Sequence, residues 1–308
     1  MNNTTALVFG YGELSIAAVE TLIDLGTQVV GLVIPSNRRG LDIELIKSFA
    51  AQRRLLLLVQ PSRKRLAPFI TELRALNPDI ILVWSYSMIL PPEVIEVPRL
   101  GCINLHGGLL PEYRGAHVMQ WAIINGENET GATLHYIDED IDTGAIIADR
   151  RFPITKDDDA ASVRQKLKYT GIQLLNDSWE SIVSGTILGI SQDESKAKYY
   201  RLRTPEDGLI DWSMSNTNIY NHIRALVHPW PGAFTLYQEQ KIIIWGAKPL
   251  EDSITILSPG LIRNLDAITM RVVTGKGDLL IHKVEVNNVI GSPNTLKAIG
   301  ISDGDLLG

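Results

Sequence analysis

The sequence predicts an α/β fold, a doubly wound parallel sheet joined to a second, smaller domain made of short strands. Three observations carry that prediction. Apolar runs alternate with helical spacing through the first half, a polar stretch interrupts the chain near residue 191, and short runs between turn residues fill the rest.

Taken in order, Ala6–Gly10 is an apolar run ending in glycine, and Ser15–Leu25 repeats apolar residues at helical spacing until Gly26 stops it. Gln28–Ile34 is β-branched and ends at Pro35. Ile43–Arg54 and Leu66–Leu76 read as helices, the second closed by Asn77-Pro78. Ile80–Trp84 is apolar on both faces of the pleat, as a strand buried in a parallel sheet is. Ile103–His106 is a further strand, followed by a loop and a helix near Val118–Ile124. A long helix, Asp159–Ser184, closes a first domain over 1–190. Residues 191–207 have linker composition, with Pro205 and Gly208 at their end. From 208 to 308 the runs Ala233–Tyr237, Lys241–Trp245, Gly260–Arg263, Ala267–Val273 and Leu279–Val286 suggest a small barrel or sandwich.

The composition limits the function. Of 308 residues 45% are apolar and 21% charged, which excludes disordered and collagen-like classes. Lys plus Arg is 29 against 35 Asp plus Glu, and the net charge of −6 weighs against nucleic acid as a partner. The lone Cys102 offers no disulfide framework and no cysteine metal cluster. The N-terminus lacks a basic region leading into a long apolar core, and no run reaches the roughly 20 apolar residues of a membrane span. A soluble, cytoplasmic protein is expected.

Two segments could carry chemistry. Phe9-Gly10-Tyr11-Gly12-Glu13-Leu14-Ser15 leaves the first strand and opens a helix, so Tyr11 and Gly12 could face an anion at the helix N-terminus. A nicotinamide fingerprint would need a third glycine, where Ser15 stands, and a carboxylate after the second strand, where Pro35-Ser36-Asn37 stands. A dehydrogenase is therefore not expected. The second segment is Gly101–Gly115. Asn104 and His106 are i and i+2 on a strand, so both leave the same face near its carboxyl end. Downstream, Asp138-Glu139-Asp140-Ile141-Asp142-Thr143-Gly144 is an acidic loop whose sharp turn could bring Asp142 beside a histidine.

The Asn-x-His pair, Leu109-Leu110-Pro111-Glu112-Tyr113-Arg114-Gly115 and the Asp142-Thr143-Gly144 loop together resemble the 10-formyltetrahydrofolate-dependent formyltransferases. The resemblance spans essentially the whole chain. In Trp121–Gly131, Arg203–Trp212 and His228–Phe234 it is strongest to the nucleotide-sugar N-formyltransferases of the UDP-4-amino-4-deoxy-L-arabinose type, which are related to methionyl-tRNA formyltransferases.

The resemblance implies a Rossmann-like catalytic domain, an OB-like C-terminal β domain, and formyl transfer from 10-formyltetrahydrofolate without a metal. By position, it gives Asn104 as donor to the oxyanion, His106 as the proton-handling group and Asp142 as the residue that holds the imidazole. It assigns Met88, Leu90, Ile137 and Asp142 to the folate. Tyr11, Gly12, Arg114, His117 and Arg203 are the candidates for the acceptor.

For that acceptor, a nucleotide-linked amino sugar is expected ahead of methionyl-tRNA. The loop after the second strand is short, Ser36-Asn37-Arg38-Arg39-Gly40, whereas phosphate contacts need clustered Lys and Arg. Ala116-His117 follows Arg114-Gly115 where the sugar enzymes carry Arg-Ala-Pro, so formylation of an amino-acid, peptide-synthetase or siderophore precursor stays open. The partners implied are small molecules, with no membrane, and a homodimer is allowed.

Overall fold

The computed structural model describes residues 4–250 and 257–308. In chain order the first elements are β1 (Thr5–Gly10), α1 (Gly12–Asp24), β2 (Gln28–Pro35), α2 (Leu41–Arg53), β3 (Leu57–Gln60), α3 (Leu66–Leu76) and β4 (Ile80–Trp84). Then come α4 (Pro92–Ile95), β5 (Cys102–His106), β6 (Arg114–Gly115), α5 (Val118–Ile124), β7 (Glu129–Tyr136), β8 (Ile146–Pro153), α6 (Ala160–Val183) and β9 (Tyr199–Tyr200). The remainder is α7 (Asn216–Arg224), β10 (Ala233–Tyr237), β11 (Gln240–Pro249), β12 (Ile262–Leu265), β13 (Met270–Val273), β14 (Asp278–Val286) and β15 (Val289–Gly291).

The chain divides into two compact units. The first comprises residues 1–115, 130–152 and 165–200; the second comprises 116–129, 153–164 and 201–308.

The first unit is built on a seven-stranded sheet in the order β3-β2-β1-β4-β5-β7-β8. From β3 to β5 every pairing is parallel, and β7 joins β5 antiparallel. All five residues of β4 are buried, which removes the whole apolar run from water on both faces. The turn from β1 into α1 shows why the glycine fingerprint is incomplete. A Cβ on Gly10 would lie 2.0 Å from the Ser15 Oγ and 2.3 Å from the Trp84 carbonyl oxygen, so only glycine fits. Ser15 fills the place of the third glycine with a hydroxyl that donates to the Trp84 carbonyl at 2.6 Å, tying α1 to β4.

The second unit holds a separate antiparallel sheet, β10-β11-β14-β13-β12, with β15 paired to β14. Among the described residues the pairing runs as a path from β10 to β12, an antiparallel sheet as the short strands suggested, and a closed barrel is not shown. Helix α7 lays Ile219 and Ile223 into the core of this sheet, beside Ile242, Ile244 and Val284. Ser215 caps α7 by accepting from the Asn218 N–H at 3.2 Å.

The stretch 191–207, expected as linker, carries ordered structure. Its first part belongs to the first unit, where β9 pairs with β6; from Arg201 it belongs to the second. No helix among the described residues is long and apolar enough to cross a membrane.

His222 of α7 is half-buried, and its Nε2 is out of solvent and unpartnered among the described residues. Burial, with the Arg203 charge second, pushes its pKa down from 6.5 to about 4. The folded value lies below the unfolded one, so the stability contributed by the neutral ring is complete above pH 6.5 and is lost as the pH falls toward 4. The urea midpoint of unfolding should therefore drop over that interval, and less steeply for His222→Leu. An equal pH slope in the variant would rule His222 out as the responsible group.

Candidate active site

Two strands and one loop of the first unit bring a cluster of polar side chains together. Asn104 and His106 leave the same face of β5. The antiparallel register sets His135 of β7 directly opposite Asn104, and Thr133 opposite His106. The loop after β7 then returns Asp142 to the same place.

That return depends on backbone form. The N–H of Tyr136 donates to the Ala145 carbonyl at 3.0 Å, closing the loop at its base. A Cβ on Gly144 would lie 1.9 Å from the Tyr136 carbonyl oxygen, so the close approach needs glycine. Asp142 sits in the left-handed region at φ 57°, which Asp tolerates better than bulkier residues. Thr143 donates to Asp138 Oδ1 at 2.6 Å and braces the turn from within.

The hydrogen-bond partners show which ring nitrogens donate. A carbonyl oxygen can only accept, so His106 Nε2, 2.6 Å from the Tyr113 carbonyl, carries a hydrogen. When that ring is neutral its Nδ1 presents a lone pair, 3.6 Å from Asp142 Oδ2. By the same reasoning His135 Nδ1 donates to the Tyr136 carbonyl at 2.8 Å, and its Nε2 accepts from Asn104 Nδ2 at 3.1 Å. Asp142 Oδ1 lies 3.6 Å from that Nε2, while Oδ2 accepts from the Gly115 N–H at 2.8 Å.

Burial, reinforced by the nearby His106, pushes the His135 pKa down to about 4. His135 therefore stays neutral at ordinary pH. The cluster can offer an N–H to a developing negative oxygen, take a proton at His106 Nδ1, and pair the resulting imidazolium with a carboxylate. The ligating atoms of His106, His135 and Asp142 also lie within 4.8 Å of one another, so these three are the residues that could hold a divalent ion.

Asn104, His106 and Asp142 thus come together as the motif implied. His135 joins them without having been anticipated. Its signal was positional: an antiparallel strand beside β5, ending in the acidic loop, must set a residue opposite Asn104.

The residues that the resemblance assigns to the folate fall on both flanks of β5: Met88 and Leu90 follow β4, and Ile137 follows β7. Leu90 is buried in the core cluster of Phe9, Val83 and Cys102, Ile137 packs against the same cluster, and the Ile137 N–H donates to the Cys102 carbonyl at 2.8 Å. Met88 is half-buried, with its sulfur 3.7 Å from the Ser36 hydroxyl.

Of the acceptor candidates, Tyr11 and Gly12 sit at the start of α1. The Tyr11 N–H donates to the Ser85 carbonyl at 3.2 Å, and Arg38 stacks over its ring at 5.6 Å.

Arg114 requires a correction. Its side chain is 0% exposed, and all five of its N–H groups are spent inside the protein. Nε and Nη2 donate to Gln192 Oε1 at 3.1 and 2.8 Å, and the two terminal nitrogens pair bidentately with Glu194 at 2.9 and 2.6 Å. Nη1 also donates to the Tyr199 hydroxyl at 2.8 Å. The Glu194 carboxylate raises the guanidinium pKa further, and no donor is left for an acceptor molecule.

His117 and Arg203 belong to the second unit. His117 starts α5 in left-handed geometry and lies 3.4 Å, at Nδ1, from the Arg203 N–H. The Arg203 guanidinium lies over Trp121 at 5.4 Å and donates through Nη2 to the Asp207 carbonyl at 2.8 Å. Burial lowers its pKa.

Residues 7–178 match the formyl transferase family model, and residues 203–292 match its C-terminal domain. The chain belongs to the formyltransferase family. Its relatives include methionyl-tRNA formyltransferase of Citrifermentans bemidjiense, 32% identical over 100% of this chain and 98% of the relative. Another is the bifunctional polymyxin resistance protein ArnA of Wigglesworthia glossinidia brevipalpis, 33% identical over 94% of this chain but 44% of that longer protein. Among solved structures, the N-formyltransferase of Helicobacter canadensis, in complex with folinic acid and dTDP-3-aminofucose, has a TM-score of 0.70 at 20% identity, covering 92% of this chain and 100% of that one. The family membership makes this chain an N-formyltransferase.

Proposed function

We propose that the chain transfers the formyl group of 10-formyltetrahydrofolate to a primary amine, with Asn104, His106 and Asp142 as the working residues. The observation that carries this reading is the convergence of an amide donor, an imidazole with an available lone pair and a carboxylate at one end of β5.

The amine nitrogen attacks the formyl carbon, and the carbonyl oxygen becomes an oxyanion. One N–H of the Asn104 amide is spent on His135, and the other is free for that oxyanion, a contact worth a few kcal/mol. His106 Nδ1 accepts the proton that the attacking nitrogen must lose, and Asp142 pairs with the ring while it is charged. Collapse of the tetrahedral intermediate breaks the bond to N10 of the folate, which leaves with a proton. Backbone at the end of β4 suits the pterin. Ser87 and Ile89 turn their carbonyls to Asn37 and Gln60, whereas no hydrogen bond among the described residues engages the backbone of Met88 or Leu90.

For the acceptor, methionyl-tRNA has the better support. Relatives of that name align over nearly their full length and both family domains. The nucleotide-linked amino sugar is the second reading, favoured by the five-residue connection between Pro35 and Leu41 and by the net charge of −6. In either reading the antiparallel sheet of the second unit plays the part of the family's OB-like domain.

Folate release from 10-formyltetrahydrofolate, measured with charged initiator tRNA, with UDP- and dTDP-linked amino sugars and with hydroxyornithine, tests the proposal. Turnover with the tRNA alone is expected. Turnover with one amino sugar and none with tRNA would reverse the order of the two readings. No turnover with any of these amines would overturn the acceptor assignment.

A further inference from the structure

Between the buried Arg114 and the Asp142 loop stands one side chain, Gln192. Its Nε2 donates to the carbonyls of Asp142 at 2.8 Å and Gly144 at 2.7 Å. Its Oε1 accepts from Nε and Nη2 of Arg114. Two donors and two lone pairs are thereby all used, the full capacity of a primary amide.

The partners on either side are themselves fixed. Arg114 is clamped by Glu194 and Tyr199, and the peptide that follows it, the Gly115 N–H, is the donor that holds Asp142 Oδ2. Strand pairing of β6 with β9 sets Arg114 and Gly115 against Tyr199 and Tyr200. Asp142 is thus gripped twice: by its carboxylate through Gly115, and by its backbone through Gln192. Both grips trace back to the same buried guanidinium.

We propose that Gln192 is a positioning residue, which sets the aim of the Asp142 carboxylate at His106 by holding the carbonyls on either side of Thr143. The proposal rests on the formyl-transfer reading for its effect on rate, but the placement of the loop can be measured without that reading. Gln192 touches neither His106 nor Asn104 in any hydrogen bond among the described residues, so its action runs through the loop. Arg114 anchors the strut, and this accounts for an arginine that is wholly buried yet paired with a carboxylate 69% exposed.

Gln192→Glu separates the two ends of the strut. A glutamate keeps the length and still accepts from Arg114, where it adds an ion pair, but it cannot donate, and it sets negative charge against the two carbonyl oxygens. If the donation is what matters, Gln192→Glu loses kcat by about tenfold to a hundredfold, the usual scale for an outer hydrogen bond to a functional group. Gln192→Ala should lose as much, and the thermal midpoint of Gln192→Glu should fall no further than that of Gln192→Ala, since the glutamate still pairs with Arg114. Amide hydrogen exchange in 138–145 should quicken by about tenfold in Gln192→Glu, with the β4 and β5 amides unchanged. Wild-type kcat and exchange in Gln192→Glu, alongside an impaired Gln192→Ala, would show that Gln192 serves only to bury Arg114 and would overturn the proposal. Should the wild-type protein form no formyl product with any amine, the formyl-transfer reading fails. The exchange comparison then decides by itself whether Gln192 holds the loop.

Discussion

His106→Ala should lower formyl transfer by about a hundredfold to ten-thousandfold while leaving folate affinity close to that of the wild type. The ring is nearly buried, pinned by its Nε2 hydrogen to the Tyr113 carbonyl, and its other nitrogen is the basic atom that faces Asp142. Nothing else in the cluster can replace it, because the His135 lone pair is already committed to Asn104. Alanine also leaves the Tyr113 carbonyl without its donor, at a cost of about 1–3 kcal/mol in stability. His106→Gln is the cleaner partner variant, since its amide can still donate there but cannot take a proton. Single-turnover rates for both variants, with folate affinity measured separately, decide the matter. A wild-type rate in either would remove His106 from the proton transfer.

Asp142→Asn should cost a comparable amount, up to about ten-thousandfold in kcat, as neutralising the carboxylate of a catalytic triad does. Asparagine tolerates the left-handed backbone at φ 57°, and its amide oxygen can still accept from the Gly115 N–H. The substitution therefore removes charge while keeping shape. Under the proposed assignment of Ile137 and Asp142 to the folate, weaker folate binding is expected as well, since this loop begins where the Ile137 N–H bonds to the Cys102 carbonyl. Retention of full activity by Asp142→Asn would mean that the carboxylate serves only as a brace for Gly115.

The nearness of the proposed trio was legible in the sequence for a geometric reason. Alternation on a strand fixes that Asn104 and His106 share a face whatever the rest of the chain does. A Thr-Gly pair after an aspartate announces a turn, and the Gly144 contact with Tyr136 bears that out. His135 was not legible in the same way, since only the antiparallel pairing of β7 with β5 sets it opposite Asn104. Arg114 was misread because an arginine between tyrosine and glycine in a binding motif looks like a ligand contact. Its true partners, Gln192, Glu194 and Tyr199, lie in the polar stretch that reads as linker. Among the elements, α7 escaped notice because Asn-Thr-Asn-Ile-Tyr-Asn-His-Ile-Arg is poor in helix formers. Two isoleucines on one side and a serine cap suffice once the sheet beneath gives that side somewhere to go.

The pairing of Asn104 with His135 has a consequence for which way an amide can face. An asparagine side chain is nearly symmetrical in shape, and either end could point across the ladder. Because the imidazole nitrogen opposite it carries no proton, only the NH2 end is accepted there, and the carbonyl end is turned away. A proton on that nitrogen would demand the reverse, and the amide would swing round to show its oxygen to the ring. Low dielectric around β7 keeps that proton off until the medium is strongly acid. The compass needle of the site is therefore Asn104, and what sets its north is a lone pair on a neighbour that need never meet the substrate.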